Sequence, residues 1–593
     1  MTNDPYSTAS SGAVSPAPTD AAAAARTGGG DTADALEAVA HDYWEAVLAE
    51  EPLFATQIGD RRYDARLRDP SPEGRAAWHA LLEALAAREA AIDDAALDAG
   101  ARVTRSALRE ALRGDLARLR TGVEDWSVDP LEGPQVEFEN IEAYQPVATS
   151  ADAAAMIARW RAMGPYVDAT IANLRRALAD GRVAVRAPVV KSIAELDQAV
   201  ATADDDLALL APARADHPDW DAADLASFRE ELASAVRDVV RPAFARLRAA
   251  LHDEILPAAR PDERPGIVHV PGGADAYRDL IRYHTSLDLT AEDLHATGMG
   301  EIARIDAEFV ALGERVLGTR GLDETLARLR DDPTLHFGTR EEIVGVAESS
   351  LARARAALPS TFGILPRATC VVVPMGPHEE EHSTIAYYRQ PAPDGSRPGQ
   401  YYINTSAPAT RPRYEAEALA FHESIPGHHL QIAIGQELAG IPEFRRHLGP
   451  TAFFEGWGLY TERLADEMGL YSGDLDRFGI LSFDAWRACR LVVDTGMHAL
   501  GWSRQAAIDF MGAHTALGAN NIANEVDRYI VWPGQALAYK TGQLEILRLR
   551  DEARAALGPR FDIRAFHDAV LTGGALPLAT LREVVTGWAP EAR

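Results

Sequence analysis

From residue 34 to about residue 358, apolar side chains recur at helical spacing within an Ala, Leu, Arg and Glu-rich texture, so this half of the chain is expected to form a bundle of long helices. The stretch Leu36-Glu37-Ala38-Val39-Ala40-His41-Asp42-Tyr43-Trp44 is typical. Breaks fall where proline accumulates, as at Asp129-Pro130-Leu131-Glu132-Gly133-Pro134 and Pro257-Ala258-Ala259-Arg260-Pro261, which read as connections between helices. The texture changes once, between about residues 369 and 405. There Cys370-Val371-Val372-Val373, Thr384-Ile385-Ala386-Tyr387-Tyr388 and Gln400-Tyr401-Tyr402-Ile403-Asn404-Thr405 read as strands separated by Pro, Gly and Asp turn clusters. Helical texture returns at Arg413 and holds to the end, with no internal repeat. The expected fold class is therefore mainly α: a large, bilobed helical protein with a small embedded β-sheet.

A chain of 593 residues can hold a large core. Its first thirty or so residues are mostly Ala, Ser, Thr, Pro and Gly, which cannot bury enough apolar surface to offset their ordering entropy. Residues 1–32 are expected to be a disordered tail, residues 33–360 a helical lobe, and residues 361–593 the sheet with a second helical lobe, the two lobes forming one structural unit. A net charge of -30 repels phosphate backbones and anionic headgroups, so nucleic acid is excluded as a partner. No apolar run approaches the roughly 18 residues needed to span a bilayer, which excludes a membrane span. No Lys or Arg precedes Arg26 and no apolar h-region follows, so the N-terminus does not read as a secretory signal and the cytoplasm is the expected location. The two cysteines, Cys370 and Cys489, lie far apart, which implies neither a disulfide framework nor a thiolate metal site. Any metal must use histidines and carboxylates.

Those residue types converge in His422-Glu423-Ser424-Ile425-Pro426-Gly427-His428-His429. A His-Glu pair on a helix is the opening half of a zinc-hydrolase motif, but the second histidine four residues on is absent. Pro426 cannot sit in an undisturbed helix. If Pro426-Gly427 forces two residues out of the helical path, His428 takes the vacated place; otherwise it lies about 240° around the helix from His422. His429 returns to the His422 face but roughly 10 Å along the axis, and is the alternative ligand. Zinc in a catalytic site takes three protein ligands, and Glu455 in Phe453-Phe454-Glu455-Gly456-Trp457-Gly458-Leu459-Tyr460-Thr461-Glu462 supplies the third. Glu462, two turns on, is placed to orient a ligating imidazole. One Zn2+ per chain is thus the expected cofactor, with Glu423 as general base for the attacking water.

At these residues the chain resembles a large bacterial family, catalogued as a domain of unknown function, whose members carry His-Glu-x-x-Pro-Gly-His-His followed by Glu-Gly-Trp. The resemblance covers nearly the whole ordered chain and includes Asp394-Gly395-Ser396-Arg397-Pro398-Gly399, Pro533-Gly534-Gln535-Ala536 and Gly574-Ala575-Leu576-Pro577-Leu578. That family looks like a branch of the gluzincin peptidases, which implies a zinc hydrolase.

A second stretch, His378-Glu379-Glu380-Glu381-His382, fits the H-E-x-x-H pattern literally. It lies between two strand-like runs with no helical periodicity, and reads as a solvated acidic loop. His498, Tyr529 and Tyr539 are candidate donors to a developing oxyanion. Arg487, Arg490, Asp494 and His498 share one helix face, so an ion-pair ladder is an equal reading of His498. Arg528 suits a substrate carboxylate or a plain salt bridge. The run containing Tyr401, Tyr402 and Asn404 suits an edge strand that pairs with an extended peptide, or an internal strand. The function expected is zinc-dependent hydrolysis of short peptides in a cleft between helical lobes; hydrolysis of non-peptide amides or esters, or a non-catalytic helical binding module, are the alternatives.

Overall fold

The computed structural model describes residues 28–591 except 377–379, 381–383, 393–394 and 396. It is a mainly helical protein with one small embedded sheet, and its first helix, Gly28–Glu50, begins inside the expected tail, whose residues 1–27 lie outside the described part. No helix among the described residues is long and apolar enough to cross a membrane.

Packing does not follow a division at residue 360. The largest apolar core runs from Leu36 to Val585 and joins the N-terminal helices to the C-terminal ones. A second core, from Val128 to Ile255, belongs to the middle of the N-terminal half alone. Sequence periodicity locates helices but not their partners, and here the first helices pack on the last.

The sheet comprises β1 (Cys370–Pro374), β2 (Ala386–Arg389) and β3 (Gly399–Ile403) in the order β1-β3-β2. Strand β3 pairs in parallel with β1 and antiparallel with β2. It is therefore the central strand, and the reading of Tyr401 and Tyr402 as an edge that accepts a peptide is corrected: both hydrogen-bonding sides are already taken. Alternation along β3 buries Gly399, Tyr401 and Ile403. On the opposite face, Tyr402 stacks on its cross-strand partner Tyr387 with centroids 4.8 Å apart.

After the sheet come six helices that frame the site: α1 (Ala416–Glu423), α2 (His428–Glu437), α3 (Thr451–Glu467), α4 (Arg477–His498), α5 (Ala519–Val531) and α6 (Ala538–Leu557). Helix α4 is buried along its whole length after Arg477, yet carries Asp484, Arg487, Arg490, Asp494 and His498. A buried helix with that many polar groups must satisfy them locally. Asp484 accepts from Lys540 at 2.5 Å and Arg463 at 2.5 Å. Asp494 accepts from the Tyr277 hydroxyl at 2.5 Å and the Gly534 amide at 3.1 Å.

Candidate metal centre

The helix does not bulge at Pro426; it stops. Helix α1 ends at Glu423, and α2 starts at His428, with a four-residue turn between them. The turn passes so close to α1 that a Cβ on Gly427 would lie 1.8 Å from the His422 carbonyl oxygen, so only glycine fits there. Fully buried Trp457 fixes the turn from outside by donating its indole N–H to the Pro426 carbonyl at 3.0 Å. The Glu-Gly-Trp run of α3 thus holds the two histidine-bearing helices in register.

This turn brings His428 back to His422. Their rings stand edge to face with centroids 4.7 Å apart, and the ligand atoms of His422, Glu423 and His428 lie within 4.8 Å of one another. Glu455 completes the set: its Oε2 is 3.6 Å from His422 Nε2 and 3.7 Å from His428 Nε2. Ligands at zinc distances on a tetrahedron are separated by about 3.3–3.6 Å, so Glu455 Oε2 stands close to ligand spacing from each imidazole. Gly458 makes room, since a Cβ there would strike the His422 ring at 2.7 Å, whereas Gly456 faces the backbone of Gly542 on α6 and not the first helix.

Behind the constellation, Glu462 Oε1 lies 2.8 Å from His422 Nδ1, which directs the opposite nitrogen at Glu455. Burial opposes charge on His422, but the bonds to Glu455 and Glu462 outweigh it and raise the imidazole to about 10. The cluster gathers the three carboxylates of Glu423, Glu455 and Glu462 around two imidazoles. A divalent cation offsets two of those charges, and the residues present fit zinc. Exposure is graded: His422 and Glu462 are buried, while the side chains of His428 and Glu455 keep 12% and 22% of their surface and Glu423 is half-buried. The partly exposed side of the cluster is thus the one formed by His428, Glu455 and Glu423.

The other candidates are placed differently. His429 turns to the sheet, with Nδ1 2.9 Å from the Tyr388 hydroxyl and Nε2 3.1 Å from the Ala368 carbonyl, so neither nitrogen is free for a metal. His498 is enclosed: Nδ1 accepts from the Ile267 amide at 3.1 Å and Nε2 meets the Tyr529 carbonyl at 2.9 Å, which leaves no donor for an oxyanion and no ion pair. The Tyr529 hydroxyl is likewise spent on Trp486, Arg490 and Glu525. Tyr539 accepts from Arg528 at 3.2 Å, and Arg528 also donates to Gln535 and pairs with Glu525 at 3.5 Å, so Arg528 is already matched within the fold. Asn404 braces the loop after β3 through the Glu380 and Thr384 carbonyls and Ser406. His378 and His382 lie outside the described residues. Glu380 of the same stretch is buried, not solvated, because its carboxylate is held by Arg340 at 2.7 Å and by the Thr405 hydroxyl at 2.6 Å.

Tyr401 acquires a different meaning from the one its strand position suggested. Its hydroxyl is buried without a hydrogen-bond partner among the described residues. Burial, and after it the Glu423 carboxylate, pushes the phenol well above its ordinary value, so the ring is within electrostatic reach of Glu423. Strand alternation was the only sequence signal for it.

The buried histidines have a consequence for stability. Burial lowers His429, His498 and His567 each to about 4, against roughly 6.5 in an unfolded chain. The unfolded state therefore takes up protons that the native state refuses as the pH falls from 6.5 to 4, so stability present above that window is lost within it. Each group contributes on the order of 3 kcal/mol at most, which is large beside the ~5–15 kcal/mol of a typical fold. Calorimetry should show Tm nearly constant from pH 8 to 7 and falling steeply below 6; a flat Tm down to pH 4.5 would contradict this account.

Comparison with known proteins places the chain in a family. The model for bacterial protein of unknown function DUF885 matches residues 52–585. A solved structure of a candidate lipoprotein from Colwellia psychrerythraea superposes with a TM-score of 0.86 at 27% identity, covering 95% of this chain and 99% of that one. A candidate lipoprotein of unknown function from Shewanella oneidensis shares the fold with a TM-score of 0.72 at 18% identity, covering 94% and 99% of the two chains. No curated protein matches the sequence.

Proposed function

We propose that this chain, which belongs to the DUF885 family of bacterial proteins of unknown function, is a zinc-dependent hydrolase of the gluzincin kind that cleaves short peptides. One observation carries the reading: two imidazoles and Glu455 converge at ligand spacing while a further carboxylate, Glu423, stands half-buried beside them. A structural zinc site fills its fourth position with protein and has no use for such a carboxylate.

His422, His428 and Glu455 would hold the ion, and Glu462 would fix the tautomer and tilt of His422. When bound, zinc supplies a Lewis acid that brings water to an acidity near neutral pH. Glu423 accepts the proton of the attacking water and returns it to the leaving amine. Tyr401, whose buried hydroxyl is unspent and which lies within electrostatic reach of Glu423, would donate a hydrogen bond to the developing oxyanion, a role that neither His498 nor Tyr529 has a free atom to fill. The description of the Colwellia relative as a candidate lipoprotein supports the cell envelope as the place of action instead of the cytoplasm expected above.

A pool of short peptides tests the reading against a panel of small amides and esters. Peptide cleavage is expected, abolished by a chelator and restored by about one equivalent of zinc. Turnover of the amides or esters alone would move the substrate class to non-peptide bonds; turnover that survives chelation would sink the zinc mechanism.

A further inference from the structure

Helix α4 carries two buried guanidinium groups whose donors the fold leaves partly unfilled. Arg487 is 6% exposed and Arg490 2%. The Arg487 side chain has no ion pair and no hydrogen bond among the described residues, and its Nε and Nη1 are both buried and unpartnered. Arg490 donates to the Tyr529 hydroxyl at 2.9 Å and to Glu525 at 2.9 Å, but its Nη1 is buried and unpartnered too. Glu525 is shared further with Arg528. Asp494, one turn beyond Arg490, is already taken by Tyr277 and Gly534. Arg490 and Arg528 thus share one carboxylate, and Arg487 has none within ion-pair distance among the described residues.

Aromatic rings hold the pair in place without neutralising it. Arg487 lies over Trp486 at 4.3 Å and Phe483 at 4.7 Å, and Arg490 lies over Tyr539 at 4.2 Å and Trp486 at 4.8 Å. Such stacking orients a guanidinium plane and leaves its edge for an anion. Burying two cations with unfilled donors is costly unless a ligand fills them.

The cluster adjoins the metal centre. Tyr539, shared by both arginines, sits one turn before Gly542, whose backbone packs against Gly456, the residue that follows Glu455. Burial raises the Glu462 carboxyl, and the bond from His422 and the charge of Arg487 act against that rise, so Arg487 is within electrostatic reach of the group that orients His422.

From the unfilled donors of Arg487 and Arg490 beside the metal centre, we infer a carboxylate-binding subsite that takes the C-terminal carboxylate of the peptide and makes the enzyme act near that end. The assignment rests on the peptidase reading for the identity of the ligand. It moves the carboxylate contact from Arg528, which already donates to Gln535 and Tyr539 and pairs with Glu525, to Arg487.

The test measures binding, so it is separate from catalysis. Full-length protein carrying Glu423→Gln is dialysed against N-acetylated tripeptide pools of mixed sequence, one with free C-termini, one amidated, and one amidated with a glutamate at one position. The free-acid pool is expected to bind at least about tenfold more tightly than either amidated pool, the worth of one charge-assisted pair. Adding Arg487→Gln should bring the ratio within about twofold. Arg487→Lys keeps the charge and the stem, protects the fold if the glutamine variant unfolds, and should still cut the ratio at least threefold because the fork is lost. Equal affinity of the parent for acid and amide pools, no binding of either, a preference that survives both Arg487 variants, or an amidated glutamate pool as tight as the free acid would each overturn the subsite. A zinc-free, inactive chain that still binds the acid pool through Arg487 would sink the hydrolase reading and leave the carboxylate subsite standing.

Discussion

Glu423→Gln is expected to retain one zinc per chain and the parental Tm while lowering turnover by about 10²–10⁴, the usual worth of a positioned general base. The amide fills the same volume on the same helix end, so the fold has no reason to respond. It cannot accept the proton of the attacking water. None of the three ligand atoms belongs to Glu423 in the proposed set, so metal content separates this variant from those that damage the site. Loss in kcat with KM little changed is the signature of an interaction made only in the transition state. Activity within tenfold of the parent would remove Glu423 from the mechanism.

Glu455→Ala should reduce zinc content from one per chain to below about a tenth, and activity with it. Two imidazoles alone leave a catalytic zinc site one ligand short. Glu455 Oε2 is also the only carboxylate oxygen that lies within 4 Å of both ligand nitrogens among the described ion pairs. His428→Ala should act the same way, whereas His429→Ala should keep the metal, since His429 points at Tyr388 and Ala368. Purified variants with metal quantified after dialysis against zinc-free buffer would show the pattern. Zinc retained in both the Glu455 and His428 variants would mean that the ion, if present, sits elsewhere.

How much of this could be read from residues alone depended on the range of the interactions involved. Helical texture and the three strands are local, and β1 is where Cys370-Val371-Val372-Val373 put it. The pairing of His422 with His428 followed from one rule, that a helix cannot run through Pro426, although the outcome is two helices and a turn where a bulge was expected. Strand order was illegible because β3 pairs in parallel with β1 across an intervening strand, and that placed Tyr401 at the centre of the sheet. The fates of His498 and Tyr529 were also illegible, because the groups that occupy them come from Ile267, Trp486 and Arg490, whose approach is tertiary. The spacing of Arg487 and Arg490 was visible as a charged helix face; that Arg487 has no ion-pair partner among the described residues was not.

Anomalous scattering at the zinc edge from crystals of the purified chain tests whether His422, His428 and Glu455 hold one zinc ion. A single strong peak is expected about 2.0–2.2 Å from the Nε2 atoms of His422 and His428 and from a Glu455 carboxylate oxygen. A peak at His378 and His382, or no peak in crystals grown with zinc, would contradict it.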